Sequence, residues 1–450
     1  MSRLSELEQF LLEQVEEGTH DSAGQFTLSR DKALEKLAAF QLPRATAWVL
    51  KVVQAAVVAA SDALFVRQTG TDTEFLFTPP SHWTLDMVEA AFYDPEIASE
   101  RALDHFKRAL WSVSLNDMRP FRLVLPGSTG ALVWTGHEFR RLAAAPQNRL
   151  LLLTVSHRSV YAGKGIVGLR TLQAARTNAD ILAELVNFAF VCPIQLQVDS
   201  RRLDALQGCP HHGCNPKSYP IRLGFAKSEG PPFRIPPLTL GRYQPAAPGY
   251  ASLASIFQSQ VTVPSQVQVA MLLSAQVNCV LSGKTFQWTA IPQESYLHWV
   301  LDGVVVERTP LSVPPLAVSV ALFASAEGLR TDLTGFKLAW DEEYQQRSRR
   351  LCRAVTPLVS EARVSLEKFV RGSQQNAYVL GGCLLVGGLI MSVVSPAGVF
   401  LIGGSVAGSA AVTVAVEMSA ERALDRQLQK ECERLRSHWA TSWPAYSSSA

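Results

Sequence analysis

The chain has 450 residues and a net charge of +3, with 47% hydrophobic residues. That length allows two or three domains with real cores, and so slight a charge gives no general case for a nucleic-acid partner. The seven cysteines are an odd number with no framework spacing, which suits a reducing compartment and excludes a disulfide-stapled scaffold.

In chain order, Leu4, Leu7, Leu11 and Val15 recur at helical spacing and Gly18 ends that helix. It is acidic and amphipathic, unlike a secretory leader, so the bulk of the chain is expected in the cytosol. Residues 25–28 read as a short strand, Ser29 caps a helix carrying Leu34, Leu37 and Phe40, and Pro43 breaks it. A second helix is predicted over 45–60, with Trp48, Val49, Val52, Val53, Ala56 and Val57 placed almost all round it. A helix with so little polar face is buried between layers. Residues 63–67 and 73–78 then alternate as a hairpin about Thr69-Gly70-Thr71-Asp72.

Helices follow near 84–92 and 97–113, then strands at 121–125, 131–134 and 150–155. Helices first and a mostly antiparallel sheet after describe an α+β sandwich. A helix at 180–190, a strand at 194–198 and a turn at Asp199-Ser200 open a second α+β unit. The Pro-rich stretch 209–248 reads as loop and linker. Strands resume over 267–306, with Asp302-Gly303 as a hairpin turn, and continue at 318–324. From Asp341 a long helix runs on, kinked at Pro357.

Charge then disappears: no Asp, Glu, Lys or Arg falls between Arg371 and Glu417. Two apolar runs, 377–394 and 399–416, flank the turn Ser395-Pro396-Ala397-Gly398. Each run, if helical, spans about 27 Å, enough for the hydrocarbon of a bilayer. The expectation is a transmembrane hairpin in the cytoplasmic membrane. Gly381, Gly382, Gly387 and Gly388 on one arm, with Gly403, Gly404 and Gly408 on the other, let two helices approach closely and could support a homo-oligomer. A buried Gly/Ala-rich hairpin in a soluble core is the competing reading. Lys368 and Arg371 before the first arm, and Arg422, Arg426 and Lys430 after the second, place both flanks on the cytosolic side.

The run Lys51-Val52-Val53-Gln54-Ala55-Ala56-Val57-Val58-Ala59-Ala60, followed by Leu64-Phe65-Val66, resembles the first motif of the GHKL ATPase superfamily. Gyrase, the ninety-kilodalton heat-shock chaperone, sensor histidine kinases and mismatch-repair ATPases form that group. Their motif is E-x-x-x-N-x-x-D-A on a buried helix running directly into a strand. The strand from Pro193 to Asp199 is similar to the second-domain strand of the chaperone and repair members. The resemblance covers Ser29 to about Leu206, and extends to a group of bacterial proteins with the same degenerate helix.

It implies an acid that positions water and an asparagine that holds magnesium. Keeping the helix-to-strand spacing puts Lys51 in the acid's place, Ala55 in the asparagine's and Val58 in the aspartate's. Matching Ser61-Asp62-Ala63-Leu64 instead puts Ala55 and Ala59 at the two catalytic places. Neither register restores the chemistry. The D-x-G-x-G that should follow is missing as well, because no glycine lies between Gly70 and Gly127, and a lid needs glycine where amides approach phosphate. The expectation is therefore a pseudo-ATPase without cofactor.

Three further motifs are weaker. Gly163-Lys164-Gly165-Ile166-Val167-Gly168 spells G-x-G-x-x-G, but lacks the immediate helix and following acid of a dinucleotide fingerprint, so it reads as a glycine loop. Cys209, His211, His212 and Cys214 pack four soft ligands into one stretch, where zinc sites draw pairs from two separated knuckles; a polar loop is the plainer reading. Arg347, Arg349, Arg350 and Arg353 form a solvated helix face, or touch anionic lipid headgroups upstream of the hairpin.

The resulting domain scheme starts with a degenerate GHKL-like α/β sandwich at 1–160. A second α+β unit with a Pro-rich linker follows at 161–255, and a β-rich segment at 256–340. An amphipathic linker helix at 341–376, the apolar hairpin at 377–416 and a polar helical tail at 417–450 complete it. The expected function is a non-catalytic, chaperone-like or scaffold protein tethered to the lipid bilayer, with an unknown protein partner and no nucleic acid. One alternative is an effector whose hairpin inserts conditionally; another is a weak nucleotide-binding ATPase.

Overall fold

The computed structural model describes residues 42–94, 98–116, 118–144, 149–158, 167–199, 201–203, 218–227, 255–258, 269–282, 285–290, 292, 294–311, 313–316, 318–351, 353–356 and a few positions within 426–438. The chain is α+β and carries a large mixed sheet. The predicted apolar hairpin at 377–416 lies outside the described residues, as do the segment preceding Leu42 and the Cys209–Cys214 motif.

Helix α1 (Trp48–Val58) is the axis of the first half, buried on nearly every face as its composition requires. It ends in a Schellman turn: Ala60 takes φ 55°, its N–H donates to the Val57 carbonyl, and Ser61 N–H reaches the Ala56 carbonyl at 3.1 Å. Alanine in that left-handed position costs about 1 kcal/mol relative to glycine. The Ser61 hydroxyl donates to the Thr78 carbonyl at 2.6 Å, pinning the exit into β1 (Ala63–Gln68).

The predicted hairpin forms as β1 and β2 (Asp72–Phe77), antiparallel. Then come α2 (Leu85–Tyr93), whose Met87 N–H is capped by Thr84 Oγ1 at 3.1 Å, and α3 (Arg101–Trp111), which runs into a π-turn at Ser112–Asn116. Strands β3 (Phe121–Val124), β4 (Gly130–Trp134), β5 (Phe139–Ala143) and β6 (Leu151–Ser156) follow. Helix α4 (Val167–Phe188) starts thirteen positions before the predicted 180, taking Val167 and Gly168 of the glycine motif into its first turn. Strands β7 (Gln195–Val198) and β8 (Arg201–Arg202) close the sheet in the order β5-β4-β3-β6-β2-β1-β7-β8. Among the described residues of this sheet, β1 and β7 pair in parallel and the other neighbours antiparallel. Strand β5 has no sequence expectation behind it; it lies at the sheet edge with Arg140 and Arg141 exposed, and Phe139 anchors it in a cluster with Phe92 and Trp134 at 4.9 and 5.0 Å between ring centres.

The second sheet runs β10-β9-β11-β15-β13-β14, with β12 paired to β11. Its strands are β9 (Ser218–Lys227), β10 (Ser255–Gln258), β11 (Val269–Ser282), β12 (Thr285–Ala290), β13 (Tyr296–Leu301), β14 (Val304–Pro310) and β15 (Val318–Ser325). Strand β9 sits in the stretch read from sequence as linker; its internal Pro220, which has no N–H to donate, falls at the register irregularity in the pairing with β11. Asp302 and Gly303 take φ 51° and 77°, the paired positive values of a type I′ turn. A helix over 342–351 begins at Asp341, whose carboxylate accepts from Tyr344 N–H at 3.0 Å. Tyr344, Leu351 and Val355 are buried, so the start of the predicted linker helix belongs to the core.

Candidate functional site: a buried polar seam

Helices α1 and α3 turn a polar stripe toward the second sheet. The apolar pattern of α1 is interrupted by Lys51 and Gln54, three residues apart and so on one face. Lys51 is 1% exposed and Gln54 fully buried. The amine donates to Gln54 Oε1 at 2.9 Å, and the Gln54 amide donates to the Leu301 carbonyl on β13 at 3.1 Å. One glutamine thus joins the buried lysine to the second sheet.

The other polar groups come from α3 and from two turns. Asp302, at the tip of the β13–β14 hairpin, accepts from Arg101 Nη2 at 2.7 Å and from His105 Nε2 at 2.9 Å. Asp104 accepts from Arg108 Nε at 2.8 Å and from the Ala98 N–H at 3.2 Å. Lys107 Nζ lies 3.9 Å from the same carboxylate. Across the seam, Asp332 organises the turn over 331–338, accepting from the Phe336 N–H at 3.1 Å and from the Thr334 hydroxyl at 2.8 Å. That turn sets the Phe336 ring 4.3 Å from Lys51 Nζ, a cation–π geometry. Gly335 comes so close that a Cβ there would stand 2.9 Å from the amine. The Arg108 guanidinium donates to the Leu333 carbonyl on the same turn.

Burial dominates the electrostatics. Desolvation, aided by the Arg108 charge, lowers the Lys51 pKa from 10.5 to about 7, against the opposing pull of Asp104, Asp302 and Asp332. Burial likewise holds the His105 imidazole below its ordinary value, with the Asp302 hydrogen bond pulling the other way. A lysine near neutrality could act as a base or nucleophile. Here its amine is enclosed by Gln54, Phe336 and Gly335, which leaves a reactant no approach.

Of the residues singled out in the sequence, Lys51 lies in this seam, Ala55 is fully buried in the core and Val58 is half-buried at the end of α1. An alanine side chain there offers a metal no oxygen. Arg347 is committed to Glu343 at 2.9 Å and to the carbonyls of Ser325 and Glu327. Arg349 is half-buried, while Arg350 and Arg353 are exposed. Cys209, His211, His212, Cys214 and the seven hairpin glycines fall outside the described residues. Among the described residues, no group of three or more His, Cys, Asp or Glu could hold a metal ion, and no helix is long and apolar enough to cross a membrane. Sequence reasoning missed Gln54, Arg101, His105, Asp302 and Phe336. Its one available signal was a lysine and a glutamine at helical spacing inside an otherwise apolar helix.

These features define an α+β protein of two sheets joined through a closed polar seam. No protein-family model matches the chain, and no curated protein does. Among solved structures, the N-terminal domain of a DNA repair protein is similar at a TM-score of 0.32 and 9% identity, over 71% of this chain and 94% of that one. The B subunit of DNA gyrase from Myxococcus xanthus is similar at a TM-score of 0.36 and 10% identity, over 70% and 90% respectively.

Proposed function

We propose that this chain is a non-catalytic scaffold, chaperone-like in kind, built on a degenerate GHKL-type fold and tethered to a membrane by its apolar hairpin. The observation that carries the first half is the state of α1. The acid's place holds Lys51, sealed by Phe336, and the asparagine's place holds Ala55, fully buried. Neither can orient water or complete a magnesium shell. Such a helix serves as packing between the sheet and its neighbours, leaving outer surfaces for a protein partner. The tether rests on the uncharged stretch between Arg371 and Glu417, long enough for two crossings.

Fractionation tests the pair of claims together. Full-length protein should stay in the membrane pellet after alkaline extraction, and a pull-down from detergent-solubilised membranes should retain a protein partner without added nucleotide. Protein that is soluble until triggered would favour the conditional effector. A partner that dissociates on adding magnesium and ATP would favour a working nucleotide site.

A further inference from the structure

The tip of the β13–β14 hairpin packs into the helical layer of the first half, beside the turn over 331–338. Its fit is close on both sides. A Cβ on Gly303 would stand 2.6 Å from Pro193 Cδ and 3.0 Å from Val57 Cγ2, with the Cys192 Cα at 3.5 Å. Its polar contacts converge on few groups: Asp302 on Arg101 and His105, and the Leu301 carbonyl on Gln54. We infer that the hairpin tip and the adjoining turn over 331–338 form a proton-controlled latch, docked on α1 and α3 when His105 and Lys51 are neutral and released together when they take up protons.

The geometry explains the direction. A neutral His105 donates through Nε2 to Asp302, while its buried Nδ1 has no hydrogen-bond partner. A second proton would put an N–H and a charge where no acceptor waits, beside the Arg101 guanidinium and the buried Lys51 amine. Lys51 faces the same choice, since its cover, Phe336 and Gly335, belongs to the second half of the chain. Withdrawing that cover returns the amine to water, where it is protonated. The charged groups around the seam are Lys51 on α1, Arg101, Asp104, Lys107 and Arg108 on α3, Asp302 on the hairpin, and Glu327 and Asp332 on the following turns. Three acids near the amine offset part of the cation excess, yet burial remains the largest influence on both titrating groups.

The sign follows from linkage. Both groups bind protons more readily in the open state, so docking strengthens as pH rises. Lys51 contributes between about 7 and 10.5, the docked and ordinary values. His105 contributes below its ordinary 6.5. Within each window the opening equilibrium changes by up to about tenfold per pH unit.

This latch stands on the seam's geometry and does not depend on the scaffold reading. Cys192 is buried at the docked tip and serves as a reporter. Alkylation of Cys192 in the full-length protein, followed by peptide mass, would be measured at about pH 5.5, 7 and 9. Each rate is divided by that of the same cysteine in the unfolded chain at the same pH, which removes the thiolate effect. The normalised rate should rise from pH 9 to 7 by roughly tenfold or more, and again toward pH 5.5. Lys51→Met should abolish the first rise, and His105→Gln, which keeps a donor for Asp302, the second. Asp302→Asn keeps the left-handed turn and should label faster than wild type at pH 7, with an unchanged far-ultraviolet dichroism spectrum. A rate that is flat with pH in the wild type, or an unchanged rate in Asp302→Asn, would overturn the latch. So would a pH profile that both titrating-group variants retain; if either of them fails to fold, the wild-type profile and Asp302→Asn decide.

Discussion

Lys51 Nζ lies 4.3 Å from the centre of the Phe336 ring, although 285 positions of sequence separate α1 from that turn. The pair joins the two halves of the chain through a group that burial keeps near neutrality. In the unfolded chain the amine is protonated up to its ordinary 10.5, while in the folded chain it releases its proton at about 7. Folding therefore excludes a proton across that window, so stability rises with pH from about 7 toward 10.5 and is flat below it as far as this group is concerned. The full effect is several kcal/mol, at about 1.4 kcal/mol per pH unit. Lys51→Met fills similar space without the charge. Its melting temperature at pH 7 should exceed that of the wild type, and the rise toward pH 9 should be lost in thermal scans.

Gly303 gives a second test. Its φ of 77° and the 2.6 Å approach to Pro193 Cδ both exclude a side chain. Gly303→Ala should destabilise by at least about 1 kcal/mol from the turn alone, with the clash added. Chemical denaturation would measure it. Gly70→Ala is the control, since nothing lies within 4 Å of a Cβ there and its φ is not left-handed; it should stay within about 0.5 kcal/mol of wild type.

The helix from 342 sets where the folded unit can be cut. Tyr344 packs 5.3 Å from Trp299 between ring centres, and Leu351 and Val355 are 2% and 0% exposed. A chain ending at 356 should melt cooperatively. One ending at 346 removes Leu351 and Val355, each worth about 1.5–3 kcal/mol of burial, and should melt lower or aggregate.

For the apolar hairpin, reporter fusions at Ser395 and at the C-terminus read topology. The basic flanks Lys368, Arg371, Arg422, Arg426 and Lys430 predict an external signal at Ser395 and a cytosolic one at the C-terminus. A C-terminal fusion reporting from outside would contradict a hairpin.

Local patterns in the sequence carried much of this fold. The all-round apolar character of α1 announced its burial, and Thr69-Gly70-Thr71-Asp72 and Asp302-Gly303 marked two hairpins through their turn chemistry. Where pairing partners lie far apart the sequence was silent. The parallel contact of β7 with β1 leaves no periodic trace in either strand. Edge strand β5 shows two arginines where alternation would need an apolar residue, and β9 is hidden among prolines. The candidate site was half legible. Lys51 and Ala55 stood out against the ATPase motif, but His105 and Asp302 meet across 197 positions, and only the packing of hairpin on helix brings them together.

If the proposed closed seam stands where an ATPase would hold its catalytic groups, phosphate release from purified full-length protein with magnesium and ATP is the decisive measurement. Loss of a general base alone typically costs about a hundred- to ten-thousand-fold in rate. No release above background is expected, in the wild type and equally in Lys51→Glu combined with Ala55→Asn, because Phe336 and Gly335 still cover the position and no glycine lies between Gly70 and Gly127 to form a lid. Magnesium-dependent hydrolysis that co-purifies with the wild-type chain and vanishes when α1 is mutated would contradict it.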